Sequence, residues 1–104
     1  MSMSLGFGLF EELLVDEKTG KPLNNNLLDY KIPTAMDAPE LHVEFIQLDD
    51  PTGPYGNKSL GEPPAIPVAP AIRNAILHAT GVHMNTAPMT AQRLIASFKE
   101  KGLI

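Results

Sequence analysis

The sequence predicts an α+β chain, with short mixed strands in its first half and two helices at its C-terminal end. Three observations carry this. Apolar residues recur at helical spacing near both ends, at Met3, Phe7, Phe10 and Leu14 and again at Ala91, Leu94, Ile95 and Phe98. Between them, Leu41-His42-Val43-Glu44-Phe45 alternates as a strand does. Eight of the 10 prolines lie between Pro33 and Pro70, which limits regular structure in the middle of the chain. With 104 residues, the chain allows one small domain, residues 1–104. A domain of that size buries only roughly 60–70% of its unfolded surface, so a modest core is expected.

The first predicted helix is Met3–Leu14, with Leu9 and Leu13 widening its apolar face. Gly6 and Gly8 each cost a helix interior roughly 1 kcal/mol relative to alanine, and such glycines are expected where another backbone packs close. Few polar residues interrupt Met1 to Phe10, so this helix is expected to be buried on most sides or to begin further upstream. Val15 to Leu23 reads as a strand end, a polar turn closed by Gly20 and a short return. Asn24 to Asn26 is a loop, and Leu27 to Pro33 is extended and pinned by its proline.

Leu41 to Leu48 is the best strand. Leu41, Val43 and Phe45 share a face, then Ile46 and Leu48 change phase, which fits a bulge or burial on both sides. Asp49 to Gly61 is a loop ending in Glu62-Pro63-Pro64. A helix follows, with Pro70 in its first turn, a stripe of Ile72, Ala75, Ile76 and Ala79, and Gly81 as its C-terminal cap. In the last helix Thr90 is the N-cap, Lys99 and Lys101 sit at the negative end, and Gly102 follows.

Composition excludes several classes. There are no cysteines, which removes disulfides, zinc–thiolate sites and cysteine catalysis from this chain. The absence fits a reducing compartment, and a cytoplasmic location is expected. No apolar run approaches the ~20 residues of a membrane span, and no basic region precedes the apolar opening, so a secretory signal is not expected. A net charge of −4 argues against non-specific nucleic-acid binding. Residues 1–62 carry 4 basic and 11 acidic side chains and residues 63–104 carry 4 and 1, two faces that attract each other weakly.

Few residues form a chemical constellation. His42, His78 and His83 are the only histidines, and the last two are five apart, off the i, i+4 face of a helix, so no metal site is expected from this chain alone. Ser59 lacks the G-x-S-x-G setting of a nucleophile elbow. Pro64-Ala65-Ile66-Pro67 and Pro67-Val68-Ala69-Pro70 match P-x-x-P, either a structural brace or a polyproline ligand. Glu62 stands apart. Pro63 restricts it to an extended conformation, Pro64 stiffens the segment, and Gly61 permits close approach or a sharp turn. A carboxylate on a rigid segment meets the geometric requirement of a general base, although an acid in a loop is ordinarily just solvated.

The segments Gly61-Glu62-Pro63-Pro64, Pro70-Ala71-Ile72-Arg73-Asn74-Ala75-Ile76 and Ala79-Thr80-Gly81 resemble the C-terminal region of the molybdenum hydroxylases. These are the large molybdenum-binding subunits of the xanthine dehydrogenase and aldehyde oxidase family. Further pieces match in the same order: Glu11-Glu12-Leu13, Asn26 to Thr34, Asp37-Ala38-Pro39, Pro51-Thr52-Gly53-Pro54-Tyr55-Gly56 and Pro88-Met89-Thr90. The resemblance covers residues 5–104.

The resemblance implies an oxidoreductase role. In such enzymes the glutamate of this segment, here Glu62, is the catalytic base that takes a proton from a hydroxo ligand on molybdenum while the oxygen attacks an electron-poor carbon of a heteroaromatic or aldehyde substrate. Leu60 and Gly61 match positions that approach the molybdopterin-type cofactor through backbone. Ser59 stands where the family commonly has glycine or alanine, so the match is weaker there. The segments that hold the pterin lie upstream of this stretch in the family. The chain is therefore expected to be the C-terminal portion of a molybdenum-cofactor-binding domain, to bind no cofactor alone and to be inactive alone. Its expected partners are the remainder of the molybdenum-binding subunit and, in the complete enzyme, iron–sulfur and flavin subunits or domains. Self-association through exposed apolar faces, first through Met3–Leu14, is a further expectation. The alternative is a stand-alone interaction module that kept the fold without the chemistry.

Overall fold

A computed structural model describes residues 1–104. Three helices form: α1 at Ser2–Leu9, α2 at Val68–Thr80 and α3 at Ala91–Glu100.

Helix α1 stops short of the Leu14 that the apolar spacing predicts. Phe10 leaves the helical region, and the amides of Phe10 and Glu11 both bond the Gly6 carbonyl, at 2.8 and 2.9 Å. The buried Asn24 takes over beyond that point. Its Oδ1 accepts from the Leu14 amide at 2.8 Å and its Nδ2 donates to the Glu12 carbonyl at 2.7 Å, which satisfies the backbone outside a helix. The face α1 buries is its small one, Ser4, Gly6 and Gly8, while Met3 and Phe7 stay 73% and 55% exposed. Burial on most sides is therefore not what this chain provides. Gly8 explains the choice of face: a Cβ there would lie 2.8 Å from Ile72 Cδ1, so α1 and α2 touch where the side chain is missing.

Helix α2 accommodates Pro70 because its third residue has no intrahelical partner for an N–H in any case. It ends at Gly81 in the left-handed region, φ 70°, whose amide bonds the Leu77 carbonyl at 2.8 Å, as the sequence predicts. Thr90 caps α3 by accepting from the Arg93 amide, and Gly102, φ 68°, follows its end. Only half of each predicted stripe is used. Ile72 and Ile76 of α2 and Leu94 and Phe98 of α3 pack inward, whereas Ala75, Ala79, Ala91 and Ile95 face out.

The core is Val82, Met84 and Met89, all in the α2–α3 connection, with those four side chains and Leu9 against it. Two arginines hold the connection in place. Arg73 Nε donates to the Met84 carbonyl at 2.7 Å, and Arg93 Nη1 donates to the Pro88 carbonyl at 2.7 Å while its Nη2 pairs with Glu12. The Met89 amide donates to the Gly8 carbonyl at 2.7 Å, tying the connection to α1.

The predicted mixed strands do not form. Val15 and Pro22 make one antiparallel bridge around the turn closed by Gly20, so that hairpin exists in its shortest form. Leu27 to Tyr30 is a turn organised by Asn26, whose Oδ1 accepts from Leu28 and Asp29, and is not extended. Leu41 to Leu48 has strand composition but no secondary structure, because a strand requires a partner ladder and this chain brings none beside it.

The molecule is open. Its accessible surface is 8474 Å², against about 5,700 Å² for a compact monomer of this mass. Its radius of gyration is 17.9 Å, against about 13 Å for a compact chain of this length.

Candidate functional site

The segment leading to Glu62 is built by a tight knot of turns. Asp50 Oδ1 accepts from the Thr52 amide at 2.9 Å and from its hydroxyl at 2.7 Å, and the Asp50 amide donates to the Gly56 carbonyl at 3.1 Å. The Thr52 hydroxyl, then the Thr52 amide, hold the Asp50 carboxyl below the usual aspartate value. Pro54–Gly56 forms a single 3-10 turn in which Tyr55 is left-handed, φ 56° and ψ 26°, with its ring fully exposed. That conformation is uncommon for a bulky residue and is held here by the closed hydrogen bonds on either side.

After the knot, Lys58 to Gly61 runs exposed with no secondary structure. A cleft of about 380 Å³ lies between this run and Phe45 to Asp49, with Tyr55 and Leu60 on its walls. The Glu62 carbonyl then accepts from the Ala65 amide at 2.8 Å, which places Pro63 and Pro64 at the centre of a turn leading into α2. Rigidity predicted from the two prolines thus has a structural form.

The sequence-predicted site residues are adjacent and all exposed. Leu60 is 53% exposed at the cleft. The Glu62 side chain has no hydrogen-bond or ion-pair partner within the chain. Gly61 has no positive φ, and a Cβ built on it meets nothing within 4 Å. Neither its own backbone nor any neighbour in this chain requires a glycine there.

No three histidine, aspartate or glutamate side chains converge as metal ligands. His42 lies 3.8 Å from Glu40 on an exposed segment, and His78 and His83 are exposed. No helix is long and apolar enough to cross a membrane.

Sequence reasoning missed the Asp50–Thr52 brace and the strained Tyr55. Asp-Pro-Thr-Gly-Pro carries the turn signal for the first; nothing in the sequence marks a left-handed tyrosine.

Comparison with known proteins places these observations. Residues 1–39 match the family model described as a molybdopterin cofactor-binding domain. The chain is 54% identical over all 104 residues to a xanthine dehydrogenase molybdenum-binding subunit of Escherichia coli O157:H7, of which it spans 14%. It is 35% identical over 96 residues, 91% of its length, to an aldehyde oxidoreductase molybdenum-binding subunit of Escherichia coli K12, covering 13% of that protein. Among solved structures, quinoline 2-oxidoreductase from Pseudomonas putida 86 superimposes with a TM-score of 0.83 at 30% identity, over 95% of this chain and 13% of that one. The chain spans about one seventh of these relatives, and it belongs to the molybdenum hydroxylase family, within the molybdenum-binding subunit.

Proposed function

We propose that this chain is the C-terminal portion of the cofactor-binding domain of a molybdenum hydroxylase and that it contributes Glu62 as the general base. The observation that carries the reading is a carboxylate with no intrachain partner, exposed on a turn braced by Pro63 and Pro64 and next to an open glycine backbone. The bound molybdenum cofactor would supply the two-electron acceptor for oxidation of a heteroaromatic or aldehyde carbon. Within this chain the division of labour is simple. Glu62 holds and releases a proton at its carboxylate oxygens, and the proline turn limits the positions those oxygens can take. Gly61 leaves backbone room for the cofactor, and Leu60, half-exposed at the adjoining cleft, approaches it through backbone as well. The remainder of the subunit, with iron–sulfur and flavin subunits or domains in a cytoplasmic complex, would supply the rest of the site and the electron path.

The test is Glu62→Gln in the assembled subunit. Glutamine keeps the shape and cannot take the proton, so turnover is expected to fall by about 10²–10⁴-fold with molybdenum content nearly unchanged. Normal turnover in that variant would refute the assignment.

A further inference from the structure

We propose that the closed loop at residues 50–57 is a positioning device for Glu62: it fixes the near end of the segment that carries the carboxylate, as the proline turn fixes the far end. The proposal rests on the reading above that Glu62 is the base. From Lys58 to Gly61 no backbone group enters a backbone hydrogen bond, so this run takes its course from its two ends. The far end is the turn in which the Ala65 amide donates to the Glu62 carbonyl. The near end is Asn57. At 3.6 Å per residue the chain from Asn57 to Glu62 reaches at most about 18 Å, so a displacement of Asn57 acts on Glu62 through a short tether.

Asn57 is held by a closed set of bonds. The amides of Asp50, Gly53, Gly56 and Asn57 donate to the carbonyls of Gly56, Asp50, Gly53 and Pro54, each at 3.1 Å. Asp50 Oδ1 adds the bonds from the Thr52 amide and hydroxyl. Gly53 lies directly against Asn57. A Cβ on it would collide with the Asn57 carbonyl oxygen and stand 3.3 and 3.4 Å from the carbonyl carbon and the amide nitrogen. These atoms are backbone and cannot swing aside as a side-chain tip does. Any side chain at position 53 must therefore move Asn57.

Tyr55 adds to the constraint. Tyr55 and Gly56 are left-handed in succession, φ 56° and 77°, which turns the chain just before Asn57. The tyrosine ring is fully exposed, so no packing of that ring within the chain offsets the strained backbone. The loop's hydrogen bonds hold it, and the direction in which the chain leaves toward Lys58 depends on it.

Steady-state kinetics of the assembled, cofactor-loaded subunit tests this, with xanthine as a heteroaromatic probe and benzaldehyde as an aldehyde probe. Gly53→Ala displaces Asn57, and Tyr55→Val places a β-branched residue where a positive φ is needed. Each is expected to lower kcat by about 10–100-fold, with KM and molybdenum content nearly unchanged. Tyr55→Asn removes the ring but tolerates the left-handed backbone, and its kcat is expected to stay within about threefold of wild type. Wild-type kcat in Gly53→Ala or Tyr55→Val would overturn the proposal. Loss of assembly or of molybdenum in step with turnover would overturn it in favour of a purely structural loop. Equal loss in Tyr55→Asn and Tyr55→Val would overturn it in favour of a contact made by the ring. If the wild type oxidises neither probe, or if Glu62→Gln turns over normally, the functional reading fails instead, and the positioning role with it.

Discussion

Tyr30 and Glu11 show how single side chains organise the irregular half of the molecule. The phenol donates to Glu11 Oε2 at 2.8 Å. That bond first, then partial desolvation and the nearby negative charge, raise the tyrosine above its usual value. The folded state therefore holds the phenol proton more tightly than the unfolded chain does. The stability this contributes is complete below the ordinary tyrosine value and is lost as pH rises through the raised one. Glu11→Ala is expected to bring the Tyr30 titration back down toward the usual range, followed by tyrosinate absorbance. An unchanged midpoint would show that the bond does not set the value. The turn at Glu62 was legible at this scale because the proline pair at its centre is written beside it. The partners of Tyr30 were not, since Glu11 lies 19 residues away and only the fold brings it near.

Among the elements, α2 and α3 were readable because their caps are local: Gly81 and Thr90 act on their own turns. The length and orientation of α1 were not, because Asn24, remote in sequence, captures the backbone of Glu12 and Leu14. The mixed strands failed for a related reason. Residues 41–48 carry the alternation of a strand, but pairing is a property of two segments and no second segment lies beside this one. The α1–α2 contact gives a direct test. Gly8→Leu must place a side chain where a Cβ alone already lies 2.8 Å from Ile72 Cδ1. Overpacking of about 1–3 kcal/mol outweighs the roughly 1 kcal/mol gained by removing a helical glycine. A net loss of about 1 kcal/mol is expected in urea titration of the helical signal. A more stable variant would mean that α1 is not seated on α2 as described.

For the whole molecule, the proline-rich middle and the small core have one explanation. Only Val82, Met84 and Met89 are buried hydrophobics, and 8474 Å² of surface remains accessible, so most apolar side chains that look like core have nothing within this chain to pack on. Met3, Phe7 and the apolar side chains of residues 41–48 all remain exposed. The matches to relatives seven times its length supply the context. The most direct measurement of the central claim is reconstitution of turnover from two purified pieces, this chain and the cofactor-loaded remainder of the subunit. Neither piece alone should oxidise a heteroaromatic or aldehyde substrate, and mixing them should restore turnover saturably with added chain. Full turnover by the remainder alone would contradict the claim that residues 1–104 complete the active site.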